Sequence, residues 1–529
     1  RQCKVDDDAM TERGGTTVSR FLERLREVSA EYPEKEAFFN SRIMEDSRQR
    51  MTYAELDAWS DSLAVSFAEW SPKGKPVVVY GHKSPLMLVC FIAAAKAGLT
   101  YAPVDIAYPS DRVNDILDQI GHPLVVTLAD DEFPGDVTLA DSVVGDAAVR
   151  EAALAGRSWD SSHWIVDETP FYLLFTSGST GRPKGVQMPS RCVDAFMDYF
   201  RALFPERPDG VSFNRVPYTF DVSLFDIIAG LSSGYTLFSL ESEDEQSMRA
   251  TFDALAASGL TTWISTPSFI EMCLVDPSFD QDLLPRLDNV ILCGEVFRNA
   301  TALKIIERFP EARVLNTYGP TETQAVTDIV VDENLAREVN PLPVGYLSDG
   351  VRALIRDPET GEELPCGEVG EIYLAGNTVS AGYYGRPDLT EAVFSEREGS
   401  DGTVKRCYKT GDKGYLDADG RLFCLGRLDF QVKLNGFRVE LADVEQALVR
   451  IPEVAEAVVL PADRDGKVTH LVAHVRLAEP GMTAGFARAR AIKTALKELV
   501  PDYMVPKKIV FHEEFALNVN GKIDRKALA

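Results

Sequence analysis

The chain has 529 residues, of which 45% are apolar, so it can bury several cores, and ordinary domain size divides such a length into more than one structural unit. A formal net charge of −27 argues against general affinity for nucleic acid. Eight cysteines, scattered without a CxxC pair and away from the six histidines, indicate neither a zinc site nor a disulfide framework and fit the reducing cytoplasm.

The first residues, RQCKVDDDAM, are polar and acidic and do not read as a signal peptide. From about 16 to 125, helix-like segments such as VSRFLERLREV (18–28) alternate with strand-like ones such as PVVVYG (76–81), which predicts α/β layering. The apolar run LMLVCFIAAA (86–95) is shorter than the roughly 20 residues a bilayer span requires, so no membrane insertion is expected. Residues 129–160 read as a loop-rich connection, and FYLLFTSGSTG (171–181) as a strand entering a glycine turn. Apolar runs at YTLFSL, TTWIST, NVILCGE and RVLNTYG, separated by helical patterns such as ATALKIIERF, predict parallel strands with crossover helices.

From PVGYL onward, short strands and turns predict a β-rich unit over about 343–428. The last hundred residues carry a compact α+β pattern, and a boundary is placed near Leu428–Phe430. The expected organisation is a large domain over 1–428 with mixed, largely parallel sheets, followed by a small α+β domain over 429–529.

Several strings carry chemistry. TSGSTGRPKG (176–185) places glycines, hydroxyl residues and a lysine after an apolar strand, a composition that brings backbone N–H groups, hydroxyls and Lys184 close to phosphate oxygens. It lacks the Walker A spacing, and an isolated STG string is equally a flexible surface loop. NTYGPTE (316–322) follows a strand, where open α/β sheets bind ligands. There Tyr318 offers a flat face for a base, Thr321 a hydroxyl for phosphate and Glu322 a hard oxygen for Mg2+, although a plain Gly-Pro turn reads the same way. In YKTGD (408–412), Asp412 can accept two hydrogen bonds from a ribose diol. Arg427 is a phosphate candidate, Asp429 a pivot candidate, and Lys522 lies in NGKIDRKAL near the end of the sequence, where lysines are usually solvated. Asp221 interrupts the apolar run VPYTFDVSLF, so a cationic partner is expected, either a substrate ammonium or a structural salt bridge.

Together and in this order, these strings resemble the adenylate-forming superfamily of acyl-CoA synthetases, peptide-synthetase adenylation domains and luciferases. MTYAEL (51–56), AKAGLTYAPVD (95–105) and GEIYLAGNTVSAGYYGRPDLT (370–390) match the amino-acid-activating branch. VVVYGHK, NRVPYTFDVSLFDIIAGLSSGYTL and LCGEVF are most similar to the D-alanine:carrier-protein ligase subfamily. TETQAVTD is one residue shorter than the corresponding subfamily string, which leaves the substrate contact near Gln324 and Ala325 open.

The resemblance implies ATP and Mg2+ as cofactors. It gives the phosphates to Thr176, Ser177, Gly178, Ser179, Thr180 and Lys184, and the nucleotide to Gly294, Glu295, Asn316, Thr317, Tyr318, Gly319, Pro320 and Thr321. It further gives Mg2+ to Glu322, the ribose to Asp412, the phosphate region to Arg427, and the substrate ammonium to Asp221. Cys293 and Ala325 would line the pocket for a small side chain, and Lys522 would reach the α-phosphate and the substrate carboxylate. The terminal domain would be mobile about Asp429. With no appended carrier segment recognised, the expected acceptor is a phosphopantetheinylated carrier protein in trans, as in teichoic acid D-alanylation. An excised peptide-synthetase adenylation domain for another amino acid is the alternative.

Overall fold

The computed structural model describes residues 17–41, 50–71, 74–129, 132–178, 182–205, 207–240, 247–398, 404–428, 431–464, 467–478 and 485–516, together with Arg525 and Leu528. Ser179, Thr180, Asp429 and Lys522 lie outside the described residues.

Two largely parallel sheets dominate. The seven-stranded sheet runs in the order Gly382–Tyr383, Lys184–Pro189, Pro170–Thr176, Tyr101–Asp105, Val77–Gly81, Leu124–Thr127, Ser142–Gly145. Its last five strands are parallel, and Lys184–Pro189 returns antiparallel on Pro170–Thr176. In the nine-stranded sheet, six neighbouring strands from Arg313–Tyr318 to Glu36–Asn40 are parallel, with antiparallel strands at both edges. One core cluster joins residues of both sheets with the helices Tyr53–Trp70, Pro85–Lys96 and Ser190–Phe200.

The helix Pro85–Lys96 is buried on every side, which explains why its sequence is apolar all round. Ser84 caps it by accepting the Leu86 N–H, and proline occupies its first turn. Its single charge, Lys96, is only 1% exposed and is met by Asp57 and Asp61 at 2.6 and 2.7 Å. Among the described residues no helix is long and apolar enough to cross a membrane.

The stretch 129–160 is more ordered than its punctuation suggests. It contains the edge strand Ser142–Gly145 and the helix Asp146–Leu154. An edge strand with one solvated face carries no continuous apolar run, and alanines supply the helix propensity without a strong apolar stripe.

An antiparallel sheet follows, built from Val351–Arg356, Gly370–Gly376, Phe394–Glu398, Val404–Leu416 and Leu422–Arg427. The hairpin Gln431–Leu434/Phe437–Glu440, the helices Leu441–Val449 and Phe486–Lys497, and a three-stranded sheet complete the chain. Buried residues from Val432 to Met504 form a core of their own.

Phe91 tests the shared core of the large sheets. It is fully buried, stacked on Tyr101 at 4.3 Å and edge-on to Tyr218 at 5.5 Å. Phe91→Ala is expected to destabilise the large unit by about 3–5 kcal/mol in urea denaturation, whereas Val137→Ala at an exposed position should leave the midpoint in place.

Candidate active site

The strands Pro170–Thr176 and Arg313–Tyr318 end at one cleft, each delivering a turn from its C-terminal edge. The second turn folds back sharply: a Cβ on Gly319 would lie 1.8 Å from the Gln324 carbonyl oxygen, so only glycine fits. Gln324 itself takes a left-handed φ of 58° and donates to the Tyr172 hydroxyl. Thr176, Ser177, Asp221, Thr321, Asp412 and Arg427 meet around this cleft. The Thr176 hydroxyl is buried and has no partner among the described residues.

Glu322 is 0% exposed. Its Oε1 accepts the Tyr383 hydroxyl at 2.7 Å and its Oε2 accepts Arg438 Nη1 at 2.7 Å, while Lys184 Nζ stands 3.9 Å away. Burial alone would raise this carboxyl; the Arg438 and Lys184 charges and the two hydrogen bonds outweigh it and hold Glu322 well below the usual carboxylate range. Burial, then the Arg438 charge, pushes Lys184 down to about 8.

Asp221 begins a short 3-10 turn that runs into the π-helical turn Phe225–Gly230. Its Oδ2 accepts the Thr321 hydroxyl at 2.6 Å, and among the described residues no Lys or Arg lies within ion-pair distance of it. Burial raises its pKa against that hydrogen bond and the Lys433 charge. Cys293 follows the strand Asn289–Leu292, is 5% exposed, and has its thiol pushed up to about 11 by burial. Ala325 is buried in the same core cluster as Cys293.

A second cavity of about 440 Å3 adjoins the cleft through Gly294, Asp412 and Arg427, and is lined by Glu295 and Asn316–Tyr318. Asn316 donates to the Pro343 carbonyl, Thr317 to the Leu292 carbonyl, and the Tyr318 hydroxyl to Asp412 Oδ2 at 2.6 Å. Arg427 holds the other Asp412 oxygen at 3.1 Å. Pro320 lines the cleft beside Gly319.

Most of the residues that meet here are sequence-based candidates; the glycine turn at Gly436 is legible too, but not the contacts its hairpin makes with the cleft. Ser177 Oγ donates to the Arg438 carbonyl and accepts the Glu440 N–H, and the Gly178 N–H donates to Asp443. The Gly436 N–H donates to Glu295, and a Cβ there, at φ +87°, would press to 2.4 Å from Thr266. Phe437 packs between Phe220 and Tyr503. The alternating charges of VKLNGFRVE around a Gly turn were the available signal, and nothing local tells which distant surface such a hairpin meets.

Known proteins converge on the same description. Residues 25–384 match the family model described as AMP-binding enzyme, and 443–522 that described as AMP-binding enzyme C-terminal domain. The D-alanine–D-alanyl carrier protein ligase of Bacillus mycoides (strain KBAB4) is 38% identical over 514 residues, 96% of this chain and 99% of the relative. The protein of the same name from Bacillus velezensis (strain DSM 23117 / BGSC 10A6 / LMG 26770 / FZB42) is 37% identical over 512 residues, with the same coverage. Among solved structures, the holo form of an NRPS protein containing adenylation and PCP domains, bound to a vinylsulfonamide inhibitor, superposes with a TM-score of 0.80 at 25% identity, covering 97% of this chain and 84% of that one. The chain belongs to the AMP-binding enzyme family, and is an ATP-using ligase of the adenylate-forming superfamily.

Proposed function

We propose that this enzyme activates D-alanine as its aminoacyl-adenylate and passes the alanyl group to the phosphopantetheine thiol of a separate carrier protein in the cytoplasm. The observation that carries the reading is Asp221, a carboxylate at the cleft with no cationic partner among the described residues. A substrate ammonium supplies that partner, and a fatty acid does not. The names of the relatives over nearly the whole chain support alanine and its D-configuration.

In the first half-reaction a substrate carboxylate oxygen attacks the α-phosphorus, a P–O bond forms, and pyrophosphate leaves with the electron pair of the bond that breaks. Charge growing on the phosphoryl oxygens requires donors already in place. The free Thr176 hydroxyl and the Ser177 hydroxyl line the cleft, and by resemblance the Gly178 N–H, Ser179, Thr180 and Lys184 complete that set. The 440 Å3 cavity suits the nucleoside, since it borders Tyr318 and Asp412, whose carboxylate still has lone pairs for a ribose diol. Glu322 fits Mg2+, which is commonly held by one or two carboxylates together with substrate phosphates; among the described residues no cluster of three metal-ligating side chains offers a cage instead. Bound there, the cation would neutralise phosphate charge.

In the second half-reaction the pantetheine sulfur attacks the acyl carbon, a C–S bond forms, AMP leaves with the C–O electron pair, and the thiol proton passes to water. A cavity of about 430 Å3, bordered by His82, Thr266, Asn435 and Phe437, meets the cleft at Phe220 and Gly436 and gives a long thiol arm a route. With the hairpin docked, the cleft encloses only about 60 Å3, against roughly 300–1,000 Å3 for ordinary small-molecule sites. Ser177, held by the hairpin, and the Gly178 N–H, held by Asp443 of the following helix, cannot serve the phosphates at the same time. By the family resemblance, residues 429–529 act as a lid that rotates about Asp429, with Lys522 serving adenylation and the hairpin thioester formation.

ATP–pyrophosphate exchange should be driven by D-alanine more strongly than by L-alanine; a preference for a bulky or aromatic amino acid would assign a different specificity. Asp221→Asn should raise the KM for the amino acid about 30-fold or more with far less effect on that for ATP, and equal losses would sink its role. Lys522→Ala should slow exchange by about 100-fold or more while transfer from presynthesised aminoacyl-AMP falls much less. Equal slowing of both half-reactions would contradict the division of labour.

A further inference from the structure

Glu322 has two claimants. The reading above gives it to a divalent cation, yet in this structure Arg438 Nη1 is hydrogen-bonded to its Oε2 at 2.7 Å. Arg438 belongs to the strand Phe437–Glu440, whose backbone also occupies Ser177, while Tyr383 holds the other Glu322 oxygen from the large unit. A carboxylate buried to 0% exposure cannot be left without a counter-charge. Nor can it keep the guanidinium, Lys184 and a divalent cation together, because three positive groups within a few ångströms in a poorly screened site repel one another.

We propose that Arg438 replaces the divalent cation at Glu322 once the first half-reaction is complete, so that guanidinium and cation exclude one another at this carboxylate. The proposal rests on the reading of Glu322 as the cation's ligand. With no cation held there, Glu322 would keep only Lys184 at 3.9 Å and the Tyr383 hydroxyl, and the incoming hairpin supplies a guanidinium at 2.7 Å as the closer counter-ion. Product release is thereby coupled to docking of the hairpin. Arg438 then also brings positive charge to the cleft where the acyl phosphate sits, for its side chain lines that cleft and its Nε–H is buried with no partner among the described residues. Arg438 acts as a positioning residue, exchanged for a metal ion between half-reactions.

The test measures cation affinity rather than turnover. Mn2+, an EPR-visible substitute for Mg2+, is titrated into the full chain with α,β-methylene-ATP present, for wild type, Arg438→Ala, Arg438→Lys and Glu322→Gln. Loss of the competing guanidinium should tighten Mn2+ binding in Arg438→Ala by about fivefold or more, the lower end of ordinary coupling between linked sites. Arg438→Lys, which restores the charge, should return it to within about twofold of wild type. If Glu322→Gln binds Mn2+ as wild type does, the assignment of Glu322 to the cation fails; if Glu322→Gln weakens Mn2+ binding but Arg438→Ala leaves it at the wild-type value, the exchange proposed here is overturned.

Discussion

A carboxylate with no exposed surface must be compensated, and the arrangement around Glu322 follows from that requirement. Removing one member of a buried ion pair costs about 3–5 kcal/mol, because the survivor is left charged in a poor solvent. Glu322 draws its compensation from three directions: Lys184 on the strand after the phosphate loop, Tyr383 at the edge of the same sheet, and Arg438 from the terminal hairpin. The first two are fixed within the large unit. The third comes from an element with its own core, so the charge balance of the site depends on where that element lies.

Docking of the hairpin is specified by shape as well as charge. Phe437 inserts between Phe220, one residue before Asp221, and Tyr503, with ring centroids at 4.5 and 3.9 Å. Gly436 approaches Thr266 too closely for any side chain, and Glu295 ties down both its N–H and that of Ser268. Asp111 with Arg450 at the exposed periphery, and Glu271 with Lys467 in a mostly buried pair, join charges of the large unit to charges of the small one. The exposed Asp111–Arg450 pair contributes little stability on its own.

Much of this was legible in the sequence where the determining physics is local. Parallel strands announce themselves by short apolar runs between helical periods, and the turns at residues 176–178 and 318–322 by glycines and hydroxyls following such runs. An acid in the apolar run at Asp221 demands a cationic partner, from substrate or protein, and among the described residues no Lys or Arg lies within ion-pair distance of it. Pairings between distant residues left no such mark: Arg438 meets Glu322 across 116 positions and Thr321 meets Asp221 across 100. The edge strand Ser142–Gly145 carries no strand signal because its half-exposed alternation resembles polar connection, and the π-helical turn at Phe225–Gly230 has no periodicity of its own.

The account as a whole rests on an alanyl group leaving the cleft as a thioester on another protein. Intact-mass spectrometry of a phosphopantetheinylated carrier, incubated with the enzyme, ATP, Mg2+ and either alanine enantiomer, observes that product directly. The account predicts that the carrier gains the mass of one alanyl group with D-alanine, far faster than with L-alanine, that hydroxylamine removes it as expected of a thioester, and that carrier lacking the pantetheine arm gains nothing. A carrier that stays unmodified with D-alanine while accepting another amino or fatty acid would contradict it.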